Sequence, residues 1–490
     1  MLCAEACGRG RATPSASGSA PKPVLSAVAP GGPSAARTGA RAEPSGQPPT
    51  PTSASVVASS RAAVSVTADS QPATPRVYVK NRFVFVRPRP DVNADWLGFL
   101  WFGASVALRG AAAPVRGPGC ATFYAIEPMG FVCVDEKQAT LAANDPVFEA
   151  VSAYAPRLDR AAPHRYAESL GAELRTEVPG GASEWPVLPK LPAFFHEARR
   201  RLLPLSTLAY VEERQHDGQP WLLSADLLWL EKKQAALYPE VTFHGVELGR
   251  EWQLPLAFFR KAGARKFRRL APNKFEKTDG AFALHDLVAL TDRVEIQRGE
   301  RYFQTVADDW VREQDAVLPT PRSLTPWGAR IGHADHTGRG PKDPRQTWIE
   351  VSVLGGWLLA FEGTKPVYAT LISAGRGGIP QEGKNTLEIS ATPLGTWPIS
   401  GKLATVTLEA PGEYVHSEVP WTQNFQKPYA IHTAYWHDNW GNLSSGGCIN
   451  VSPIDGKWLF EFSEPQLPRG WHAVRWQPAT GAPTLLVVHE

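Results

Sequence analysis

No stretch of this 490-residue chain approaches the roughly 20 apolar residues that a membrane-spanning helix needs, so no helical span is expected. An excess of charge of either sign is also missing. Fifty-one Lys and Arg stand against 48 Asp and Glu, a net of +3, which offers no concentrated basic face and no reason to expect nucleic-acid binding. The first residues, Met1 to Gly8, lack both the basic head and the apolar core of about 7 to 15 residues found in a secretion signal. From Arg11 to Pro75 aromatic residues are missing altogether, and Ala, Pro, Ser, Gly and Thr predominate. Such a composition cannot bury enough surface to fold, so residues 1–76 read as a disordered tether. Two accounts of it stay open. In one, translation starts upstream and Cys7, or else Cys3, is the lipid-bearing first residue of a mature lipoprotein; in the other the segment is an ordinary tail. Cysteine is scarce too, five in all. Cys120 and Cys133 flank an aromatic-rich segment and are placed to close a disulfide across a hairpin in an exported protein, which leaves Cys448 as the odd one.

What is present is globular material for two to four units, at about 100 to 200 residues each. Seventeen Trp and 45 Pro suit β-rich modules better than a helical bundle. Residues 77–145 carry short runs of β-branched and aromatic residues such as Val77–Val86, broken by Pro88 and Pro90, and look like a small SH3-like barrel. Residues 146–203 read as a helical, then proline-rich connection: Phe148, Val151, Tyr154 and Leu158 fall at helical spacing, and Pro179 to Pro192 punctuate. Residues 204–317 return to β patterning. Asp226-Leu-Leu-Trp-Leu230 and Asp286-Leu-Val-Ala-Leu290 hint at repeated SH3-like units, each following a polar turn, Asp217-Gly218 and Asp279-Gly280. The basic cluster Arg260, Lys261, Arg265, Lys266, Arg268, Arg269 and Lys274 is either a solvated face or a contact for an anionic wall polymer. Residues 318–345 read as a linker; His333, Asp335 and His336 lack further ligands at short spacing, so no metal site is expected. From Gln346 onward the pattern is strand and turn: Trp348–Val353, Gly355-Gly356, Trp357–Phe361, Lys365–Ser373, then Thr392–Ile399 and Ala404–Leu408. A β-sandwich follows.

The chemistry concentrates between Tyr429 and Pro453. His432 is followed by Thr433, and sixteen positions on (448 − 432) Cys448 stands behind Ser445, Gly446 and Gly447. A thiol attacks as its thiolate and needs a base, which His432 supplies. Gly446 and Gly447 let successive N–H groups turn toward a developing oxyanion. Ser452-Pro453-Ile454-Asp455 reads as a helix start, with serine as N-cap, proline at the first position and a carboxylate at the third.

With those residues in place, residues 346–475 resemble the YkuD-type L,D-transpeptidase catalytic domain. The likeness runs through Lys365-Pro-Val-Tyr-Ala-Thr370, Thr392-Pro-x-Gly395, Val419-Pro-Trp421, His432 with Tyr435-Trp-His-Asp438 and Gly441, Ser445-x-Gly447-Cys448-Ile-Asn450, and Trp458-Leu-Phe460. It implies a mainly β protein whose C-terminal sandwich, residues 346–490, has one short helix after the cysteine. Cys448 is then the nucleophile and His432 the base, with Thr433 orienting it, and Trp421, Tyr435, Trp436 and Asn450 are candidates for the substrate groove. His437 and Asp438 brace the loop. The implied reaction joins peptidoglycan stem peptides through 3→3 crosslinks without a cofactor, in the envelope or periplasm of a Gram-negative bacterium, with an envelope lipoprotein as a further candidate acceptor. An L,D-carboxypeptidase using the same site, or a non-catalytic wall-binding protein with a degenerate domain, are the alternatives. The second is motivated by Gly446, which stands where the family usually has histidine.

Overall fold

The computed structural model describes residues 74–110, 113–178, 201–332, 346–410 and 414–490. Cys3, Cys7 and nearly all of the tether lie outside these residues, as do Pro179 to Pro192 and the group His333, Asp335 and His336. The protein is mainly β, with two α-helices among the described residues, Pro146–Ser152 and Pro453–Phe462. Neither is long and apolar enough to cross a membrane.

Two sheets build the C-terminal domain. One runs in the order Val246–Glu247, Lys365–Leu371, Trp357–Glu362, Thr347–Ser352, Leu485–His489 and Gly395–Pro398. Its inner face packs Ile349, Val351, Leu358 and Leu486 against Ile431, Ile449 and Leu459. Its outer face, with Trp348, Leu359 and Phe361, is covered by Phe243, Phe258 and Val317 from upstream. A strand buried on both faces carries a continuous apolar run rather than an alternating one, which is why Trp357-Leu-Leu-Ala-Phe361 shows no polar position.

The second sheet holds Gly401–Ala410 and Tyr414–Gln426 at its centre and continues well beyond the C-terminal domain. On one side Thr207–His216 joins in parallel, with Thr207 opposite His416, followed by Gln219–Ser224 and Trp229–Glu231. On the other side come Ala473–Arg475, Gly98–Leu100 and Val84–Val86. Gly98 permits that junction, because a Cβ there would lie 2.1 Å from the carbonyl oxygen of Ala473. The sheet therefore crosses the composition boundaries drawn at residues 145, 203 and 345.

Upstream, the two β-rich units repeat one succession of elements. Thr207–His216, the turn Asp217-Gly218, Gln219–Ser224, Trp229–Glu231 and a 3-10 turn at Lys232–Gln234 are matched by Leu287–Gln297, Arg298-Gly299, Glu300–Thr305, Trp310–Arg312 and a 3-10 turn at Glu313–Asp315. The equivalence falls on Trp229 and Trp310, whereas the sequence reading aligned Asp226 with Asp286. Asp279-Gly280 lies inside the strand Lys274–Phe282 instead of forming a turn; Asn273, at φ 54°, makes that hairpin's turn. Of the basic cluster, Lys266, Arg268 and Arg269 pair with Asp309, Glu276 and Glu295.

Three further expectations change. The helical stretch after Asp145 ends at Ser152, because Pro156 disfavours helical backbone just before it, and Arg165–Ser169 is a strand. The described part of the linker is packed: Trp327 meets Trp348 edge to face, and the Arg322 N–H donates to the buried Glu350 carboxylate at 3.0 Å. Cys120 and Cys133 form a disulfide, joining the antiparallel strands Cys120–Ala125 and Phe131–Cys133.

Candidate active site

The strand Tyr429–Thr433 pairs antiparallel with Tyr414–Gln426 and parallel with Ile449–Val451, placing Ile431 opposite Ile449, His432 opposite Asn450 and Thr433 opposite Val451. Cys448, which carries a thiol, stands at the entrance to the second of these strands. Cysteine and histidine thus stand at adjacent parallel strands, Cys448 one residue before the Ile431–Ile449 pair and His432 one residue after it, although sixteen residues separate them in sequence.

His432 is 4% exposed, and its Nδ1 lies 3.0 Å from the carbonyl oxygen of Thr433. A carbonyl accepts only, so Nδ1 carries the proton and Nε2 keeps its lone pair. Burial lowers the pKa of the ring to about 4, with the bond to Thr433 acting the other way. The imidazole is therefore neutral at pH 7. Thr433 donates its hydroxyl to the Pro420 carbonyl at 3.0 Å, fastening the histidine strand to its neighbour.

The cysteine loop is closed by Ser445. Its hydroxyl donates to the Cys448 carbonyl at 2.5 Å and accepts from the Gly447 N–H at 3.0 Å. That bond corrects one expectation: the Gly447 N–H is already engaged, which leaves Gly446 as the remaining donor of the glycine pair. Gly447 serves shape instead. It sits at φ +124°, and a Cβ there would come within 2.6 Å of the Tyr429 ring and 2.9 Å of the Ala391 carbonyl oxygen. Around Gly446 nothing lies within 4 Å of such an atom. The loop is anchored from outside by the Ser445 N–H on the Ala374 carbonyl and the Arg376 N–H on the Ser445 carbonyl, both at 2.9 Å.

Behind the cysteine, Ser452 caps the helix Pro453–Phe462 by accepting from the Asp455 N–H at 3.1 Å. The buried Asp455 carboxylate then accepts from the Tyr368 hydroxyl (2.6 Å), the Thr370 hydroxyl (2.7 Å) and the Gly245 N–H (2.8 Å), tying helix, first sheet and upstream chain together.

The groove candidates separate. Trp421 is 3% exposed and belongs to the core with Ala404 and Phe460; its Nε1 donates to the Ala161 carbonyl at 2.6 Å, so it does not line a groove. Tyr435 is also buried, stacked 3.6 Å from Tyr166 with its hydroxyl on the Ser417 carbonyl. The Trp436 ring lies 6.1 Å from the His432 ring, and His416 stacks on it at 4.0 Å. Asn450 is buried beside His437, with Nδ2 3.2 Å from Nε2 of that ring. Burial brings His416 and His437 to about 4 as well, and the nearby His432 adds to both shifts. Sequence reasoning missed His416, since nothing in Tyr414–Gln426 marks it. The loop after His432 leans on upstream residues: Phe243 stacks on Trp440, Arg260 donates to the Gly441 carbonyl at 2.9 Å, and His285 lies 3.8 Å from Asp438.

Residues 346–474 match the family described as YkuD, the L,D-transpeptidase catalytic domain. No curated protein matches the chain. Similar solved structures include an L,D-transpeptidase from Xylanimonas cellulosilytica (18% identity over 30% of this chain and 63% of that one, TM-score 0.21). A mutant L,D-transpeptidase from Enterococcus faecium shows 21% identity over 29% and 50%, TM-score 0.22. One from Mycobacterium tuberculosis shows 15% over 47% and 79%, TM-score 0.21. The chain spans less than two thirds of the length of the first three structures it matches, at 63%, 50% and 61%. At residues 346–474 this chain carries an L,D-transpeptidase catalytic domain of the YkuD type.

Proposed function

We propose that the protein is a peptidoglycan L,D-transpeptidase of the cell envelope, with Cys448 as nucleophile and His432 as general base and acid. The observation that carries this reading is the tautomer of His432. With Nδ1–H committed to the Thr433 carbonyl, Nε2 is the nitrogen that accepts a proton. A neutral imidazole with a pKa of about 4 is too weak a base to hold an ordinary thiol, near 8.5, ionised at rest. Proton transfer from Sγ to Nε2 therefore accompanies formation of the C–S bond.

Sγ attacks the carbonyl joining the third and fourth residues of a stem tetrapeptide, and the oxyanion is met by the backbone N–H groups of Gly446 and Cys448. The C–N bond then breaks. Nε2 returns its proton to the departing D-alanine amine, leaving a thioester on Cys448. The side-chain amine of a diaminopimelate on another stem gives its proton to His432, attacks the thioester and releases the thiol, which makes a 3→3 crosslink. Water in place of the amine gives an L,D-carboxypeptidase. The upstream β units hold the enzyme to the wall.

Incubation of the full chain with purified tetrapeptide muropeptides, followed by mass spectrometry, tests this reading. Crosslinked dimers are expected. Tripeptides alone would make it a carboxypeptidase, and unchanged substrate would leave a wall-binding protein.

A further inference from the structure

Asn450 and His432 are register partners on adjacent parallel strands, so their side chains project to the same face of the sheet. Asn450 is 3% exposed. Its amide meets Nε2 of His437 through Nδ2 at 3.2 Å, while Oδ1 is buried without a hydrogen-bond partner. The other nitrogen of His437, Nδ1, receives the backbone N–H of Asn439 at 3.2 Å. An N–H donates only to a lone pair, so Nδ1 is bare. The ring, half-buried and neutral, then has its single proton on Nε2.

Two N–H groups cannot face each other across 3.2 Å as a hydrogen bond. The amide is satisfied when its oxygen, not its nitrogen, meets Nε2–H, a half-turn about the last side-chain bond that exchanges two groups of similar size. That turn pairs the otherwise stranded oxygen and moves the N–H₂ group to the side away from His437.

We infer that His437 is a positioning residue acting through Asn450: held as the Nε2–H tautomer by Asn439, it fixes the Asn450 amide so that its N–H₂ is a hydrogen-bond donor on the face shared with His432. There the donor serves the charge that develops as Cys448 attacks, an interaction stronger in the transition state than at rest. The inference rests on the proposed function and goes beyond a loop-bracing role for His437, which would need only the contact to Asn439.

Two substitutions separate the roles. Asparagine at 437 places an amide oxygen where Nδ1 was and keeps the contact to Asn439, but it cannot reach Asn450. Glutamine places an amide nitrogen near the position of Nε2 and keeps the donor to Asn450. In the full chain, acylation by a carbapenem is expected to slow on the order of tenfold or more in His437→Asn and in Asn450→Asp. His437→Gln should recover most of the rate, with both His437 variants melting close to wild type. Equal rates in His437→Asn and wild type, or equal losses in the Asn and Gln variants, would overturn the positioning role. A second measurement does not depend on activity: nitrogen-15 NMR of the histidine rings in wild-type protein should find the proton of His437 on Nε2, and a proton on Nδ1 overturns the inference. Wild-type protein that is never acylated would count against the proposed function, and the ring measurement then decides the claim about His437 by itself.

Discussion

At the scale of single residues, the two glycines before Cys448 do different work. Gly447 needs its positive φ and has no room for a Cβ between Tyr429 and Ala391, whereas Gly446 opens onto free space. Gly447→Ala should cost about 1–3 kcal/mol in backbone strain alone and lower the melting temperature measurably. Gly446→His should leave the melting temperature within about 2 °C, as for an unhindered surface substitution. A collapse of soluble protein in the second variant would contradict this picture of the loop. His432 makes a separate prediction about pH. Its conjugate acid lies near 4 because the ring is buried, so acylation should persist from pH 7 to about 5 and disappear as pH falls through about 4. Loss already complete at pH 6, measured in short exposures, would mean a solvated imidazole. The proposed pair His432 and Cys448 stands out in the sequence because the Cys–His chemistry, the glycines and the helix start all point to one place. His416 and the engaged Gly447 N–H do not, since each depends on which strand lies alongside.

At the scale of elements, the helix Pro453–Phe462 is set directly against the histidine strand. A Cβ on Gly456 would fall 2.1 Å from Cγ2 of Thr433, so Gly456→Ala should push the helix away, destabilise the protein and slow acylation. Thr433→Ser removes that methyl group while keeping the hydroxyl bonded to Pro420. The double variant should therefore melt higher than Gly456→Ala alone, a coupling that thermal unfolding of all four proteins reads directly. Simple additivity would show that the contact does not restrain the helix. The N-cap itself was legible, because Ser-Pro-x-Asp satisfies helix-start chemistry within four residues. The hairpin Trp348–Phe361 was legible for a similar reason, with turn glycines between two apolar runs. The stretch after Asp145 misled, since helical spacing of four side chains says nothing about the proline that stops the helix.

At the scale of the whole molecule, the C-terminal domain shares both of its sheets with upstream chain: Val246–Glu247 edges one, and Thr207–Glu231 with Val84–Leu100 extend the other. None of these junctions is visible in composition, because each rests on a few backbone pairings between segments more than a hundred residues apart. The same junctions bury titratable groups. His164 and His472 are held near 3, and His416, His432 and His437 near 4, burial being the first cause in every case. In the unfolded chain these rings take up protons near 6.5. The unfolded state therefore binds more protons below that pH, and stability falls as pH drops from about 6.5 toward 3. Glu418 and Asp455, whose carboxyls are raised by burial, act in the opposite direction, but they are two against these five and His285, which burial also lowers. The urea midpoint should be lower at pH 5 than at pH 7. An unchanged or higher midpoint at pH 5 would mean that the rings are not buried as neutral groups.

The central claim is a thioester on Cys448 formed with the help of His432. Exposure of the full chain to a carbapenem, followed by intact-mass and peptide-resolved mass spectrometry, tests it most directly. The account predicts one covalent adduct, located on the peptide containing Cys448, absent from Cys448→Ala and formed far more slowly in His432→Ala. No adduct on wild type, or one that persists in Cys448→Ala, would contradict it.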